Sequence, residues 1–429
     1  MIILQVHKFY YHRDGASNYC LDLSHELAKR GHTVVPFAIS HPQNEPTPYA
    51  RFFGPAADLT DITKLSFRQK MVAAFEVIYS FRAARALAKL LDEVKIDVAH
   101  IHNIYNHLSP AILRELKKRG IPIVMTVHDY NLLSPNYTLF RNGAPHPEDA
   151  RGFCLSVFWH KAIKNSYLAS ALAVGAHFWQ TKIWRVYKKT IDQLIFPSQF
   201  AYDLFLAHGY KKEKMKRLVH PICNYVRIAN NANMRNDRPP IRQDSNHLQN
   251  SQFAHPVVYI GRVAEEKGIA VLLAAAKLTP EINYRIVGEC TNIRNLRNSA
   301  KIVDDNVVFT GFKTGVELEE EKSRAKLFVL PSIWYENYPL AILEASARGV
   351  PTVASNIGGI PEMLPAELLV EPNNPELLAQ KIRAWYHKTP DELDKVGEEL
   401  SVQTADVNSL EKHLRSIEEI YMNEIENNK

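Results

Sequence analysis

Cysteine is scarce in this chain of 429 residues, and its four cysteines never form Cys-x-x-Cys pairs. A zinc framework or a disulfide scaffold needs such spacing, so neither is expected, and a reducing compartment is favoured. No stretch is long and apolar enough to span a bilayer. The opening residues, MIILQVHKFYY, lack the basic segment of a signal peptide and are typical of a β-strand. These absences predict a cytoplasmic protein, with peripheral contact at the cytoplasmic membrane face left open.

Several catalytic motifs are also missing. The sequence has no Asp-x-Asp after a predicted strand, no His-Glu-x-x-His, no Gly-x-Ser-x-Gly and no P-loop. Metal-bridged sugar transfer, zinc hydrolysis and serine hydrolysis are therefore disfavoured, and no metal site is predicted. The net charge of +6 is mild and no recognition motif accompanies it, so nucleic-acid binding is poorly supported.

Apolar strand-like runs alternate with amphipathic helical runs through most of the chain. This alternation predicts an α/β fold with two Rossmann-like, doubly wound parallel sheets facing a deep cleft. An Asn- and Pro-rich polar stretch interrupts the rhythm. The predicted divisions are an N-terminal domain at 1–222, a linker and surface loop at 223–256, a C-terminal domain at 257–404, and a helix at 405–429 that packs back on the N-terminal domain.

Two cations follow a predicted strand in VVYIGRVAEEKG. Arg262 comes at the end of the strand, and Lys267 comes five positions later, before a helix. A guanidinium and an ammonium beside a helix N-terminus suit a diphosphate. Solvated surface cations are the alternative, and the favoured one for this segment alone.

The segment YENYPLAILEA places two carboxylates around a predicted helix start. Pro339 suits a first helical turn, so the N–H groups of Leu340 and Ala341 would form an anion site. Glu336 could bind hydroxyls at the helix mouth, and Glu344 could bind a vicinal diol. The alternatives are a helix cap for Glu336 and a solvated position for Glu344, although an acid among apolar neighbours needs a partner.

Glycines in two loops could bring backbone close to a ligand. Gly15 lies between the first strand and the first helix, where N–H groups can approach a phosphate. Gly358 and Gly359 follow a strand in the second half. Ordinary tight turns explain each of these glycines equally well.

Histidines end two strands of the first half. His128 ends a strongly apolar strand and could orient a substrate hydroxyl near neutral pH. A structural histidine is the equally weighted alternative. His100 and His102 also end a strand, and we interpret them as packing behind the site.

Residues 156–190 combine aromatic and basic side chains in what is predicted to be one helical stretch. That composition suits a membrane interface or a lipid-linked substrate. A core helix with one solvated face is the equally weighted alternative.

Five segments in order resemble the retaining glycosyltransferases of family 4, which have the GT-B fold. They are DGASNYCLDLSHELAKRGHTV, DVAHIHN, VMTVHDY, IGRVAEEKG and VLPSIWYENYPLAILEASARGVPTVASNIGGIPE. The last is the most specific, because Glu336 and Glu344 match the Glu-x7-Glu signature of that family. The resemblance covers nearly the whole chain and implies a transferase that moves a sugar from a nucleotide-diphosphate sugar to an acceptor hydroxyl. It also implies that the domain at 1–222 binds the acceptor and that the domain at 257–404 binds the nucleotide-sugar.

The resemblance implies a role for each candidate on the donor phosphates. Arg262 and Lys267 would neutralise the diphosphate, and Gly15 would approach it from the N-terminal domain. The backbone of Pro339, Leu340 and Ala341 would complete the phosphate site. The nucleotide-sugar is then a co-substrate, and no metal or other cofactor is implied.

The resemblance also implies how the sugar is held. Glu344 would bind the ribose diol, Glu336 would hold hydroxyls of the donor sugar, and His128 would contact the sugar near its anomeric carbon. Glu336 and His128 are therefore the residues predicted to be catalytic. Retention in this family is usually explained by front-face attack, with the leaving phosphate taking the acceptor proton.

Two features depart from the family pattern. The loop DGAS carries Ala16 where the family often has a second glycine. The segment after His128 keeps only Cys154, with Ser134 at another position where a related branch has cysteine, so a cysteine or metal role is not carried over.

Assembly of a cell-surface polysaccharide or glycolipid is the expected process. One alternative is a soluble transferase acting on a small molecule, which predicts that residues 156–190 pack inward. Another is a non-catalytic scaffold subunit that binds a nucleotide-sugar.

Overall fold

The computed structural model describes residues 1–55, 76, 78–163, 165–222, 255–290 and 305–429. Its contacts divide the chain into two compact units. Unit 1 comprises Met1–Leu139, His146–Val219 and Glu411–Lys429, and unit 2 comprises Phe140–Pro145 and His220–Leu410. The division thus falls after residue 219, three residues before the predicted boundary. Most of the predicted linker lies outside the described residues.

Unit 1 is built on a parallel sheet of six strands in the order β2-β1-β3-β4-β7-β8. Its strands are β1 (Ile2–Val6), β2 (Thr33–Phe37), β3 (Val98–Ile101), β4 (Ile123–Thr126), β7 (Gln193–Phe196) and β8 (Met215–Arg217). A short antiparallel pair, β5 (Phe140–Arg141) and β6 (Ala144–Pro145), belongs to unit 2. Every residue of β3, β4 and β7 is buried, as expected for parallel strands covered on both faces.

Helices connect these strands. They are α1 (Gly15–Lys29), α2 (Phe81–Glu93), α3 (Tyr105–Leu108), α4 (Ala111–Lys118), α5 (Leu155–Trp159), α6 (Tyr167–Phe178), α7 (Val186–Thr190) and α8 (Gln199–Ala207). The first helix begins at a capping box of Asp14 and Ser17. Gly31 follows its end with φ +85°, the left-handed conformation in which helices commonly end at glycine.

Unit 2 repeats the same architecture, with six strands in the order β11-β10-β9-β12-β13-β14. The strands are β9 (Val257–Ile260), β10 (Tyr284–Val287), β11 (Val307–Gly311), β12 (Leu327–Leu330), β13 (Thr352–Ser355) and β14 (Leu369–Val370). The helices are α9 (Ile269–Lys277), α10 (Gly315–Arg324), α11 (Leu340–Ala347), α12 (Pro375–Tyr386) and α13 (Pro390–Val407). The predicted pair of doubly wound parallel sheets is confirmed.

The C-terminal helix, α14 (Leu410–Asn427), is separate from α13. It begins five residues later than the sequence predicts, because α13 extends to Val407 and Asn408 ends it. From Glu411 onward it belongs to unit 1, where its Tyr421 is fully buried.

The stretch 156–190 is not one helical stretch, so that interpretation was wrong. It contains α5, α6, a π-helical turn at Trp179–Ile183 and α7. Lys161, Asn165 and Arg185 have φ between +50° and +51°, a conformation that interrupts a right-handed helix. Across the described residues, no helix combines the length and apolarity needed to cross a membrane.

Candidate active site

The first cluster lies at the topological switch point of unit 2. There β9 lies between β10 and β12. The chain continues from β9 to β10 on one side of the sheet and from β12 to β13 on the other side. Ligands of open parallel sheets bind beyond the carboxyl ends of the strands at such a point. The loops that follow β9 and β12 carry Lys267 and Glu336, for which the family resemblance implies contact with the donor.

Backbone packing holds these two loops together. The N–H of Ile333 donates to the carbonyl of Glu266 over 3.0 Å. Gly268 has φ +70°, and a Cβ there would lie 1.8 Å from the carbonyl oxygen of Pro331. Glycine is therefore required next to Lys267. The sequence analysis does not single out this glycine.

Lys267 and Glu336 form a buried ion pair. The Nζ atom of Lys267 lies 2.7 Å from Oε1 of Glu336, and the side chains are 15% and 5% exposed. The hydroxyl of Ser332 donates to the same oxygen over 2.6 Å. The ammonium also lies 4.8 Å from the ring centre of Trp334. Glu336 is thus the ion-pair partner of Lys267 rather than a helix cap.

The charge of Glu336 is stabilised by these partners. Burial alone would raise the pKa of its carboxyl group, but Lys267 and the hydrogen bond from Ser332 outweigh it, and the pKa lies below its usual range. The carboxylate is therefore ionised at neutral pH and able to accept hydrogen bonds from hydroxyl groups.

Arg262 lies on the same loop but is exposed to solvent. Its guanidinium pairs with Glu266 over 2.7 Å, and its side chain is 43% exposed. The hydroxyl of the buried Tyr259 donates to the backbone carbonyl of Arg262 over 2.7 Å, which fixes the start of the loop. A flexible guanidinium on a fixed backbone can turn towards an anion.

The N-terminus of α11 follows directly after Glu336. Pro339 is the N-cap of this helix, whereas the sequence predicts it within the first helical turn. No side chain of the described residues caps this end of the helix. The N–H of Ile342 bonds to the carbonyl of Pro339 over 3.1 Å. Leu340 and Ala341 precede it in the first turn, where N–H groups have no intrahelical acceptor.

Glu344 lies on the half-exposed side of α11 with Leu340 and Ala341. Its Oε2 atom lies 2.6 Å from Nζ of Lys322 on α10, whose side chain is 5% exposed. Lys322 also pairs with Glu319 over 3.0 Å. The sequence predicts a partner for Glu344 but does not identify Lys322, because α10 is charged around its whole circumference.

The Gly-Gly loop packs on the backbone of Glu336 within unit 2. The N–H of Gly359 donates to the carbonyl of Glu336 over 2.7 Å. Gly358 has φ +60°, and a Cβ there would lie 2.3 Å from the same oxygen. These glycines therefore position the carboxylate, a role the sequence analysis does not assign to them.

We expect Gly358→Ala to destabilise the protein by more than about 2 kcal/mol, because the left-handed conformation and the carbonyl of Glu336 both oppose a Cβ. Urea unfolding measures this. Gly175 on α6 is the matched control, since a Cβ there meets no atom within 4 Å. Its replacement by alanine should leave stability unchanged or raise it by up to about 1 kcal/mol. Equal effects of the two substitutions would contradict the assigned packing.

The second cluster lies in unit 1, at the carboxyl ends of β1, β3 and β4. The Nε2 atom of His128, two residues after β4, lies 3.0 Å from Nδ1 of His102. The Nε2 atom of His102 lies 2.9 Å from Oε1 of Gln5 on β1. Gln5 and His102 are buried, whereas His128 is half-buried. His102 therefore contacts His128 directly and orients its ring.

This contact chain sets the tautomers. The amide oxygen of Gln5 only accepts, so His102 donates with Nε2–H. In its neutral form His102 then accepts at Nδ1, and His128 donates with its own Nε2–H. In this tautomer the acceptor nitrogen of His128 is Nδ1. His102 is recognisable in the sequence as a histidine at a strand end, but no sequence pattern points to Gln5.

His100 lies one layer deeper. It bonds to the hydroxyl of Tyr421 on α14 over 2.6 Å and to that of Thr126 over 2.8 Å. Burial lowers the pKa of His100 to about 3. It is therefore neutral at physiological pH and has a packing role, which agrees with its interpretation from the sequence.

Gly15 is the first residue of α1 and is exposed. The carboxylate of Asp14 accepts the N–H of Ser17 over 2.9 Å, so one N–H group at this helix end is already occupied. Among the described residues, no group of three or more metal-ligating side chains is positioned to hold a metal ion.

Two family models match the chain over most of its length. The model described as Glycosyltransferase Family 4 matches residues 13–222, and the model described as Glycosyl transferases group 1 matches residues 240–399. The first spans the histidine cluster of unit 1, and the second spans Lys267, Glu336 and Glu344.

Known proteins agree with these matches. An uncharacterised 42.6 kDa protein in the cps region of Klebsiella pneumoniae is 22% identical over 85% of this chain and 87% of its own length. A putative colanic acid biosynthesis glycosyltransferase, WcaL of Escherichia coli, is 32% identical, but that alignment spans 33% of this chain and only 38% of WcaL.

Among solved structures, Anabaena Alr3699/HepE in complex with UDP and glucose has a TM-score of 0.65 and 14% identity, covering 99% of this chain and 100% of that one. At that identity the likeness establishes the fold alone. The family matches and the pair of parallel-sheet units together show that the chain is a glycosyltransferase of the GT-B fold and belongs to family 4.

Proposed function

We propose that this protein transfers a sugar from a nucleotide-diphosphate sugar to a hydroxyl of a lipid-linked acceptor, with retention of anomeric configuration, in the assembly of a cell-surface polysaccharide or glycolipid. The observation that carries the proposal is the cluster of Lys267, Glu336 and Glu344 at the switch point of unit 2. It combines a cation for phosphate with ionisable acceptors for hydroxyl groups.

We assign the donor diphosphate to the cations and to the start of α11. Lys267 and Arg262 neutralise its charge, and the N–H groups of Leu340 and Ala341 after Pro339 donate to its oxygens. Gly15, at the start of α1, presents backbone to the same phosphates.

The donor hydroxyls are assigned to the two carboxylates. Glu344 forms an ion pair with the buried ammonium of Lys322, and this pairing fixes the position of its carboxylate for binding the ribose diol. Lys267 and Ser332 both contact Oε1 of Glu336, so Oε2 is the atom we assign to the hydroxyls of the transferred sugar.

His128 is assigned to the transferred sugar. It is half-buried two residues after β4, and its contact with His102 fixes the orientation of its ring for contact with a sugar hydroxyl. Retention follows if the acceptor hydroxyl attacks the anomeric carbon from the face that the phosphate leaves and gives its proton to that phosphate. The side chains then contribute orientation and charge stabilisation rather than a nucleophile.

Exposed apolar side chains favour a lipid-linked acceptor over a small soluble one. The soluble alternative predicts that residues 156–190 pack inward, but Trp159 and Leu168 are 66% and 71% exposed. WcaL is named for the biosynthesis of colanic acid, which supports the assignment to polysaccharide assembly. Peripheral contact with the inner face of a membrane is part of this proposal.

Stereochemistry tests the proposed reaction. Without an acceptor, slow hydrolysis of an α-linked nucleotide-sugar, with water attacking in place of the acceptor hydroxyl, should release the α anomer of the free sugar before it mutarotates, and proton NMR resolves the two anomers. UDP-glucose is the first donor to test, because Alr3699/HepE was solved with UDP and glucose. Release of the β anomer first would overturn the retaining mechanism while leaving the transferase assignment intact.

We further propose that the reaction needs no cofactor besides the donor. Lys267 and Arg262 supply positive charge where metal-dependent transferases use a divalent cation. Activity should therefore survive EDTA. Loss of activity with EDTA and its recovery with one added metal would overturn this part of the proposal.

A further inference from the structure

A cationic cavity opens on unit 1 behind the loop that follows His128. Its volume is about 340 Å³, within the usual range for small-ligand pockets. Leu132 and Leu133, from that loop, form part of its wall. The chain from His128 to Leu132 can span at most about 14 Å. The cavity therefore lies within reach of the residue assigned to the transferred sugar.

Three basic side chains line this cavity. They are Lys182 on the π-helical turn, Arg185 at the start of α7, and Lys188 on α7. None of the described residues that line it is acidic, and Lys182 and Arg185 form no ion pair within the described part of the chain. Burial lowers the pKa of Lys188, and the charges of Lys182 and Arg185 lower it further. The cavity thus concentrates positive charge that an anion would relieve.

A buried hydroxyl gives an independent indication of a ligand. Tyr187 lines the same cavity and is 3% exposed. Its hydroxyl has no hydrogen-bond partner among the described residues. Buried polar groups are nearly always hydrogen-bonded, so this donor is available to a bound oxygen. The neighbouring Tyr210, by contrast, already donates to the carbonyl of Leu132 over 3.3 Å.

Apolar side chains lie on the same structural elements. The π-helical turn that provides Lys182 also carries Trp179 and Ile183, which are 47% and 48% exposed. The preceding helix, α6, exposes Leu168 and Leu172. A surface that combines exposed tryptophan and aliphatic side chains with cations matches the boundary between a lipid headgroup and its chain.

We propose that this cavity binds the phosphate or diphosphate ester of a lipid, and that the apolar side chains around Trp179 receive its hydrocarbon chain. The cavity would hold the anionic link between lipid and sugar in the acceptor. This inference rests on the proposed function, since it identifies the acceptor subsite of the same enzyme. The proposed ligand is a lipid ester. A free phosphate or diphosphate carries the same anionic group, so the test must distinguish the two.

Three soluble probes separate the parts of this proposal. Inorganic pyrophosphate provides the anion alone, farnesol the chain alone, and farnesyl diphosphate both. Calorimetric titration of the full chain should show farnesyl diphosphate binding at least about tenfold more tightly than either partial probe. Equal affinity for pyrophosphate and farnesyl diphosphate would overturn the lipid assignment. No binding by either anion would overturn the site.

Variants assign the binding to the cavity. Lys182→Gln combined with Arg185→Gln should weaken farnesyl diphosphate binding by more than about tenfold. Lys189→Gln is the matched control. Lys189 lies on α7 and is exposed, but it does not line the cavity. Equal weakening by both would indicate general charge attraction and contradict the proposal.

Tyr187→Phe keeps the proposal testable if the double variant fails to fold. It should weaken binding of the probe without lowering the melting temperature of the free protein, since the lost hydroxyl has no protein partner. A lower melting temperature with unchanged binding would assign Tyr187 to structure alone. Nucleotide binding, measured in parallel, should stay at the wild-type level in these variants. If the wild-type protein itself binds no nucleotide, the result counts against the proposed function instead.

Discussion

Lys267→Ala should reduce sugar transfer by about 10²–10³-fold, because it removes a fixed cation from the proposed phosphate site. It should also destabilise the protein at neutral pH by about 3–5 kcal/mol, because Glu336 is left buried and ionised without its partner. Nucleotide release and urea unfolding measure the two effects.

The pH dependence of stability separates these effects from simple loss of packing. In the wild type the pKa of Glu336 is lowered, so the stability that the pair contributes is present above the unfolded pKa of glutamate and is lost as the pH falls through the native one. The stability gap between wild type and Lys267→Ala should therefore narrow towards acid pH.

The double variant Lys267→Ala with Glu336→Gln is the control, since it removes the uncompensated charge. It should be more stable than Lys267→Ala at neutral pH and equally inactive. If the double variant is no more stable than the single one, the buried carboxylate is not the source of the destabilisation.

Acidification from pH 6.5 to pH 5 should cost unit 1 much of its stability. Burial lowers the pKa of His7, His177 and His413 to about 4, and that of His100 to about 3. Each is neutral in the native state and takes up a proton on unfolding below pH 6.5. Stability is therefore complete above that pH and falls as the pH drops towards the native values, by up to about 2 kcal/mol per histidine at pH 5.

Urea unfolding followed across this pH range measures the slope of stability against pH. His100→Asn should reduce the slope by about one proton, whatever its effect on absolute stability. His25→Asn, at an exposed position of α1, is the control and should leave the slope unchanged. A stability that stays constant between pH 6.5 and pH 5 would contradict the burial of these neutral rings.

The sequence predicts the sheets and the candidate residues of unit 2 because both depend on local patterns. Apolar runs between helices identify the strands, and a carboxylate in the apolar helix α11 signals that it has a partner. Lys322 could not be identified in this way, because its pairing with Glu344 joins two helices that are separated in sequence by strand β12 and are brought together only by folding. Gln5 is hidden for the same reason, since β1 and β3 become neighbours only in the folded sheet.

Other features depend on backbone conformations that composition does not reveal. The left-handed residues Lys161 and Arg185 divide the stretch 156–190, although none of its residues is a proline. Gly358 lies in a segment with the composition of an ordinary turn. Only the short distance between its backbone and the carbonyl of Glu336 shows why this residue is a glycine. The cationic cavity likewise forms only when α7 and the loop after β4 come together.

The most direct test of the central claim is the thermal stability of the full chain with UDP, GDP, ADP and their sugars, repeated with Lys267→Ala and Glu344→Ala. A ligand that binds the native state alone must raise the melting temperature. We predict that one nucleotide family stabilises the wild type and neither variant. Absence of any shift in a folded wild type, or equal shifts in both variants, would contradict a donor site built from these residues.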